Sequence, residues 1–209
     1  MTTAVSDLER ATRMRMVADQ MRGETVCSSR LDLGYFRMPT KPVLSLPIRY
    51  DAPLGPWLLR KWAGPTAIYR YHADEEHPLT LVLSDGTEYQ PDRCFETDMG
   101  SVPLLLQGLP GGWYQKDRWL PAYLPHDSGY THGGLFVRRP GEAVFHFEPM
   151  GKDKVDAILY VSVLILGGPQ WNARTIYWAV DQFGTGVWEQ RRPVRVAWKM
   201  RKGVEGVVA

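Results

Sequence analysis

Asp98, His126 and Asp127 are the residues of this chain whose types and grouping could do chemistry. They lie in two short polar blocks, Thr97-Asp98-Met99-Gly100-Ser101-Val102-Pro103 and His126-Asp127-Ser128-Gly129-Tyr130, within a sequence otherwise rich in Trp, Tyr, Leu and Pro. Of His72, His77, His126, His132 and His146, only His126 has a carboxylate next to it in a Gly/Pro/Tyr-rich stretch. Asp156, further along, reaches this group only through the fold.

Three kinds of chemistry fit. Asp98, His126 and Asp127, with His132 as a further imidazole, form an oxygen and nitrogen ligand set that suits a divalent metal such as Zn, Mn or Fe; no organic cofactor is expected. Without a metal, His126 is a general base oriented by Asp98 or Asp127, with Asp156 completing a catalytic cluster. In the third arrangement the carboxylates cap backbone N–H groups and His126 ties loops together, a polar network that fixes geometry without turnover. The spacings do not choose. His126 to His132 matches no HExxH-type motif, and Ser101 lacks the Gly-x-Ser-x-Gly elbow of a nucleophile. Gly108-Leu109-Pro110-Gly111-Gly112 lacks the Lys-Ser/Thr of a phosphate loop. Trp113, Tyr114 and Trp119 read as core, or as an aromatic face for sugars or bases.

The elements that must position these residues are legible in part. Ser6-Asp7-Leu8-Glu9 has the form of a capping box, predicting a helix that ends at Gly23. Its thin apolar face (Leu8, Ala11, Val17, Met21) suits either a core helix or an arm docking on a partner. The prolines between residues 31 and 66 predict extended segments and short edge strands. Strands are expected at Ala67–Tyr71, Leu79–Leu83 and Ala143–Phe147, with a hairpin turn at Asp85-Gly86. Residues 93–130 read as irregular and turn-rich, with single helical turns at Leu104–Leu106 and Trp119–Leu124. Asp153 is expected to cap a helix from about Lys154 to Leu166, and Asn172 a second running to Gly184. The fold class is therefore α+β: a small antiparallel sheet packed against a pair of C-terminal helices, with a Pro-rich extended N-terminal region and terminal arms. The division expected is an arm and Pro-rich region over 1–66, the α+β domain over 67–190 and a basic tail over 191–209.

Composition sets outer bounds. The chain has 209 residues, 44% hydrophobic and 23% charged, which suffices for a real core. A formal net charge of +2 is too small to imply nucleic-acid binding, so nucleic acid is not an expected partner in spite of the basic tail. Residues 1–25 do not resemble a signal peptide, and Val155–Leu166 is too short to span a bilayer, so no membrane association is expected. Cys27 and Cys94 read as two free thiols.

Phe95, Thr97, Asp98, Ser101, Val102 and Pro103, then His126, Asp127 and Tyr130, carry a resemblance to a known family. Asp156 in the first helix continues it, as do Tyr177, Ala179, Val180, Phe183, Gly184 and Trp188 in the second. Over roughly residues 79–190 the chain resembles the phage- and prophage-associated family known as domain of unknown function 1353. It departs from that pattern at Leu104-Leu105-Leu106-Gln107 and in a lengthened stretch around Phe136–Met150. The resemblance implies a bacteriophage protein and no established reaction. The expectation is a virion- or tail-associated structural component, oligomeric or part of a larger assembly with other phage structural proteins, found in the virion or in host cytoplasm before assembly. The alternatives are a hydrolase of cell wall or another host polymer that uses Asp98, His126, Asp127 and Asp156, and a host-takeover binding factor.

Overall fold

A computed structural model describes residues 2–41, 43–51, 66–98 and 116–192. The order is α1 (Thr2–Met21), β1 (Thr25–Cys27), β2 (Gly34–Met38), β3 (Arg49–Asp51), β4 (Thr66–His72), β5 (Thr80–Leu83), β6 (Glu88–Gln90), β7 (Cys94–Thr97), α2 (Lys116–His132), β8 (Gly134–Arg138), β9 (His146–Pro149), α3 (Lys152–Ile165) and α4 (Gln170–Gln190). The chain is α+β. A six-stranded antiparallel sheet runs β1-β2-β5-β6-β8-β9, and a second sheet runs β3-β4-β7. The C-terminal helices pack on the sheet side of the molecule, with α3 against both α2 and α4.

The large sheet is built around one row of paired core residues. Phe36 opposes Leu81, Leu81 opposes Tyr89, and Tyr89 opposes Val137. All four are buried, and Leu124, Tyr130, Val155 and Ile158 from α2 and α3 close over them. Burying such a row supplies most of the drive to fold, at roughly 25 cal/mol per Å² of apolar surface. β2 is an internal strand with Tyr35 and Phe36 both buried, whereas the proline-rich region predicts edge strands. The prolines begin only after Met38, so they leave β2 free to pair on both sides. In the second sheet Tyr71 opposes Phe95, and their rings stand 5.0 Å apart. The Asp85-Gly86 turn forms as expected: Gly86 has φ +86°, and Asp85 accepts the Thr87 N–H at 2.7 Å.

Several boundaries move. α1 begins at Thr2, so Ser6–Glu9 lies inside the helix and is not its cap. Met14, Val17 and Met21 on α1 are exposed, while the polar Thr12 and Asp19 are buried. Asp19 accepts from the hydroxyl of Tyr35 and the guanidinium of Arg22, with Arg37 nearby. A carboxylate thus ties the helix to β2. β9 is His146–Pro149, displaced from Ala143–Phe147, and Val144 is exposed. Gly151 and Pro169 are the N-caps of α3 and α4, in place of Asp153 and Asn172. α4 runs past Gly184 to Gln190.

The largest correction is α2. The turn-rich reading of residues 116–130 gives way to a 17-residue helix containing Pro121 and Pro125. Each proline removes one backbone donor and disfavours the preceding turn. Burial outweighs that cost: Trp119, Ala122, Tyr123, Leu124, Ser128 and Tyr130 are all buried. Gly133 at φ +72° ends the helix. Trp119 belongs to the core with Val163 and Leu159. Cys27 and Cys94 are free and exposed. Trp57–Leu59, the Met99–Pro103 part of the first polar block, Leu104–Leu106, the Gly108–Gly112 segment, Trp113, Tyr114 and the tail over 193–209 lie outside the described residues.

Candidate functional site

His126, Asp127 and Asp156 converge. The helical register of α2 puts Tyr130 one turn beyond His126, and that of α3 puts Asp156 one turn beyond Lys152. His126 Nε2 lies 2.9 Å from Asp156 Oδ1, and Nδ1 lies 3.5 Å from Asp127 Oδ1, a long contact. The Tyr130 hydroxyl donates to Asp156 Oδ1 at 2.9 Å, and Lys152 Nζ donates to Asp156 Oδ2 at 2.7 Å. Lys152 also reaches α4, donating to the Asp181 carbonyl at 3.3 Å. On the other side, Thr97 at the end of β7 donates its hydroxyl to Asp127 Oδ2 at 2.5 Å. One chain of polar contacts therefore joins β7, α2, α3 and α4.

The group is enclosed. Asp156 is 0% exposed and His126 6%. Tyr130 stacks on the imidazole with centroids 4.3 Å apart, and Trp188 of α4 covers Tyr130 edge-on at 5.1 Å. Asp127 is half-buried and is the partly open member. A cavity of about 470 Å³ lies elsewhere, between α1 and the β5–β6 turn, lined by Arg10, Arg15, Tyr35 and Asp85.

Electrostatics follow from these contacts. Burial pulls His126 down, but hydrogen bonding and attraction from Asp127 and Asp156 outweigh it and hold the imidazole above its ordinary 6.5. Burial pushes Asp156 up, yet His126, Lys152 and Tyr130 together hold its carboxyl below the ordinary 3.8. Burial, then the charge of Asp156, pushes the Tyr130 phenol far above its usual range. The arrangement is an imidazole held between two carboxylates, with a lysine on the far side. Both ring nitrogens face carboxylates, Nε2 at hydrogen-bond distance and Nδ1 at a longer 3.5 Å.

Asp98 stands half-buried just after Thr97, beside the Asp127 end of this chain. His132 belongs to a separate group: its Nε2 is 3.5 Å from Asp92 Oδ2, its Nδ1 is 3.4 Å from Ser128 Oγ, and the Asp92 N–H donates to that hydroxyl at 2.8 Å. Six residues on a helix turn about 240°, so His126 and His132 face different neighbours. Thr97, Tyr130 and Lys152 join the group as partners that residue type alone does not single out. The i, i+4 spacings 126/130 and 152/156 were the available signal, and the first became readable only once α2 was known to be helical.

Metal-ligating residue types do gather at Asp74, Glu76 and His77, whose ligand atoms lie within 4.8 Å of one another. Among the described residues this group, and not Asp98, His126 and Asp127, meets that distance. Lys41 Nζ stands 3.0 Å from Glu76 Oε2 and 4.0 Å from Asp74 Oδ1, a cation already supplied by the chain. Among the described residues no helix is long and apolar enough to cross a membrane. No family model, curated protein or solved structure matches the chain.

Proposed function

We propose that this chain is a bacteriophage structural or assembly component, virion- or tail-associated, that docks on neighbouring subunits. In this reading the Asp127–His126–Asp156 group is a clamp between helices, not a catalytic centre. The observation that carries it is the buried imidazole between two carboxylates, closed off by Tyr130 and Trp188. A general base must reach substrate, whereas His126 is 6% exposed, bonded to Asp156 and covered by the ring of Tyr130. The phage assignment rests on the Phe95–Pro103, His126–Tyr130 and Asp156 blocks and their order.

The hydrolase alternative keeps one foothold. Asp127 is half-buried and touches Thr97, next to Asp98, so a carboxylate pair on that side is its remaining form. A divalent cation, where one is used, would fit Asp74, Glu76 and His77 only by displacing Lys41.

Mass spectrometry of purified particles tests the assembly reading. The protein is expected at stoichiometric copy number in the particle. Its absence from particles, together with turnover of cell-wall polymer that is lost in Asp127→Asn, would replace this reading with the hydrolase.

A further inference from the structure

The outer face of α4 carries its own complement. Trp171, Arg174, Trp178 and Asp181 follow one another at alternating steps of three and four residues, the spacing of a helix–helix seam. Seven residues fall about 20° short of two full turns, so Trp171 and Trp178 lie along one line of the helix and Arg174 and Asp181 along another. The opposite face, through Asn172, Ala173, Ile176 and Ala179, is the buried one.

Large aromatics on this side stand in solvent. Trp171 is 49% exposed and Trp178 52%, and Phe183, on the line of Ile176 but 53% exposed, meets the Trp178 ring edge-to-face at 5.8 Å. Exposed tryptophans grouped with an arginine are the composition of an interface centre. Arg174 is exposed and has no ion-pair partner among the described residues. Asp181 accepts from the Gln182 amide at 3.0 Å through Oδ2 and lies 3.7 Å from Lys152 through Oδ1, and its side chain stays 44% exposed toward the seam.

We propose that two copies of this chain pair through this face, their α4 helices antiparallel across a two-fold axis that passes midway between Arg174 and Asp181. That axis places Arg174 of each copy opposite Asp181 of the other, on the same side of the seam, twice. It brings the two Trp178 indoles together at the centre. It also sets each Trp171 over Thr185 and Gly186 of the second copy, where Gly186 has open space around its Cα. A closed two-fold contact must be self-complementary, and this seam holds a charge and its opposite at positions that the axis exchanges. A foreign partner of one charge would satisfy Arg174 or Asp181 and leave the other facing its like. A second copy satisfies both.

The pairing deepens the assembly reading, which it needs only for its biological use. The test is sedimentation velocity of the full chain over about 1–100 µM, the range in which a modest interface associates. The wild type is expected to form a reversible dimer. Arg174→Asp and Asp181→Arg should each weaken it at least about tenfold, and the double exchange should restore it to within about threefold. Trp178→Ala, at an exposed position that does not endanger folding, should abolish it. A wild type monomeric across the range overturns the pairing, as does a dimer untouched by Trp178→Ala or a double exchange no stronger than the single ones. Particle mass spectrometry decides the assembly reading separately, so the two failures are distinguishable.

Discussion

Gly184 of α4 lies against the hydroxyl of Tyr130 on α2: a β-carbon at this position would overlap that oxygen and stand 3.3 Å from Tyr130 Cζ. The glycine is helical and buried, and it lets α4 approach closely enough for Trp188 to cover the phenol. The same hydroxyl is bonded to Asp156 at 2.9 Å. Helix packing and the polar group are therefore coupled through one missing methyl group.

Gly184→Ala should consequently destabilise the fold by about 1–3 kcal/mol, the usual cost of overpacking. Tyr130→Phe removes the oxygen that the new methyl would strike. In that background the alanine should cost less than half as much. Denaturant unfolding of the four chains closes the cycle; equal costs in both backgrounds would show that the hydroxyl is not the obstacle.

His126 holds two carboxylates, so its loss leaves both without their shared partner. His126→Ala is expected to cost about 3–5 kcal/mol, as for removal of one member of a buried pair. Asp127→Asn, at the half-buried end, should cost about 1 kcal/mol. Equal losses measured by urea unfolding would contradict the unequal burial of the two residues.

The pH dependence has a definite sign. The folded-state value of His126 is raised, so its contribution is full below the ordinary 6.5 and is lost as pH rises through the raised value. That of Asp156 is lowered, so its contribution is full above 3.8 and is lost as pH falls through the lowered value. Thermal melts should show a plateau from this pair between the two ordinary values. His126→Gln should flatten the alkaline limb, and a limb unchanged in that variant would assign it to other groups.

Asp19 anchors α1 through Tyr35, Arg22 and Arg37, and burial pushes the Tyr35 phenol up to about 12. Asp19→Ala should cost about 1–3 kcal/mol. It should also open Arg10, Arg13 and Arg15 to trypsin several-fold faster than in the wild type, with the sheet core intact.

At Asp74, Oδ2 accepts from the Thr40 hydroxyl at 2.9 Å and from the N–H groups of Thr40 and Lys41. The carboxylate is committed to its own loop. Millimolar Mg²⁺, Mn²⁺ or a chelator should shift the melting temperature by less than about 1 °C, whereas bound metal would raise it with concentration. A concentration-dependent rise, abolished in Asp74→Ala, would make this a metal site.

The local sequence determined what depends on near neighbours. The Asp85-Gly86 turn needs only a glycine at positive φ and a carboxylate two residues from an N–H. The two C-terminal helices announce themselves by apolar spacing, and the α+β class follows from them and from the strands at 66–72 and 80–83. Their caps did not follow, because Gly151 and Pro169 act through backbone geometry and leave no side-chain signature. Asp98, His126, Asp127 and Asp156 could be singled out by type, but type does not say which atoms meet. Only tertiary burial made residues 116–132 a helix against two prolines, and that helix put Tyr130 over His126. It also separated His126 from His132 and enclosed the imidazole between Asp127 and Asp156. A proline's cost is local and fixed, whereas the burial that repays it comes from β8, α3 and α4, which only the folded chain brings against this helix.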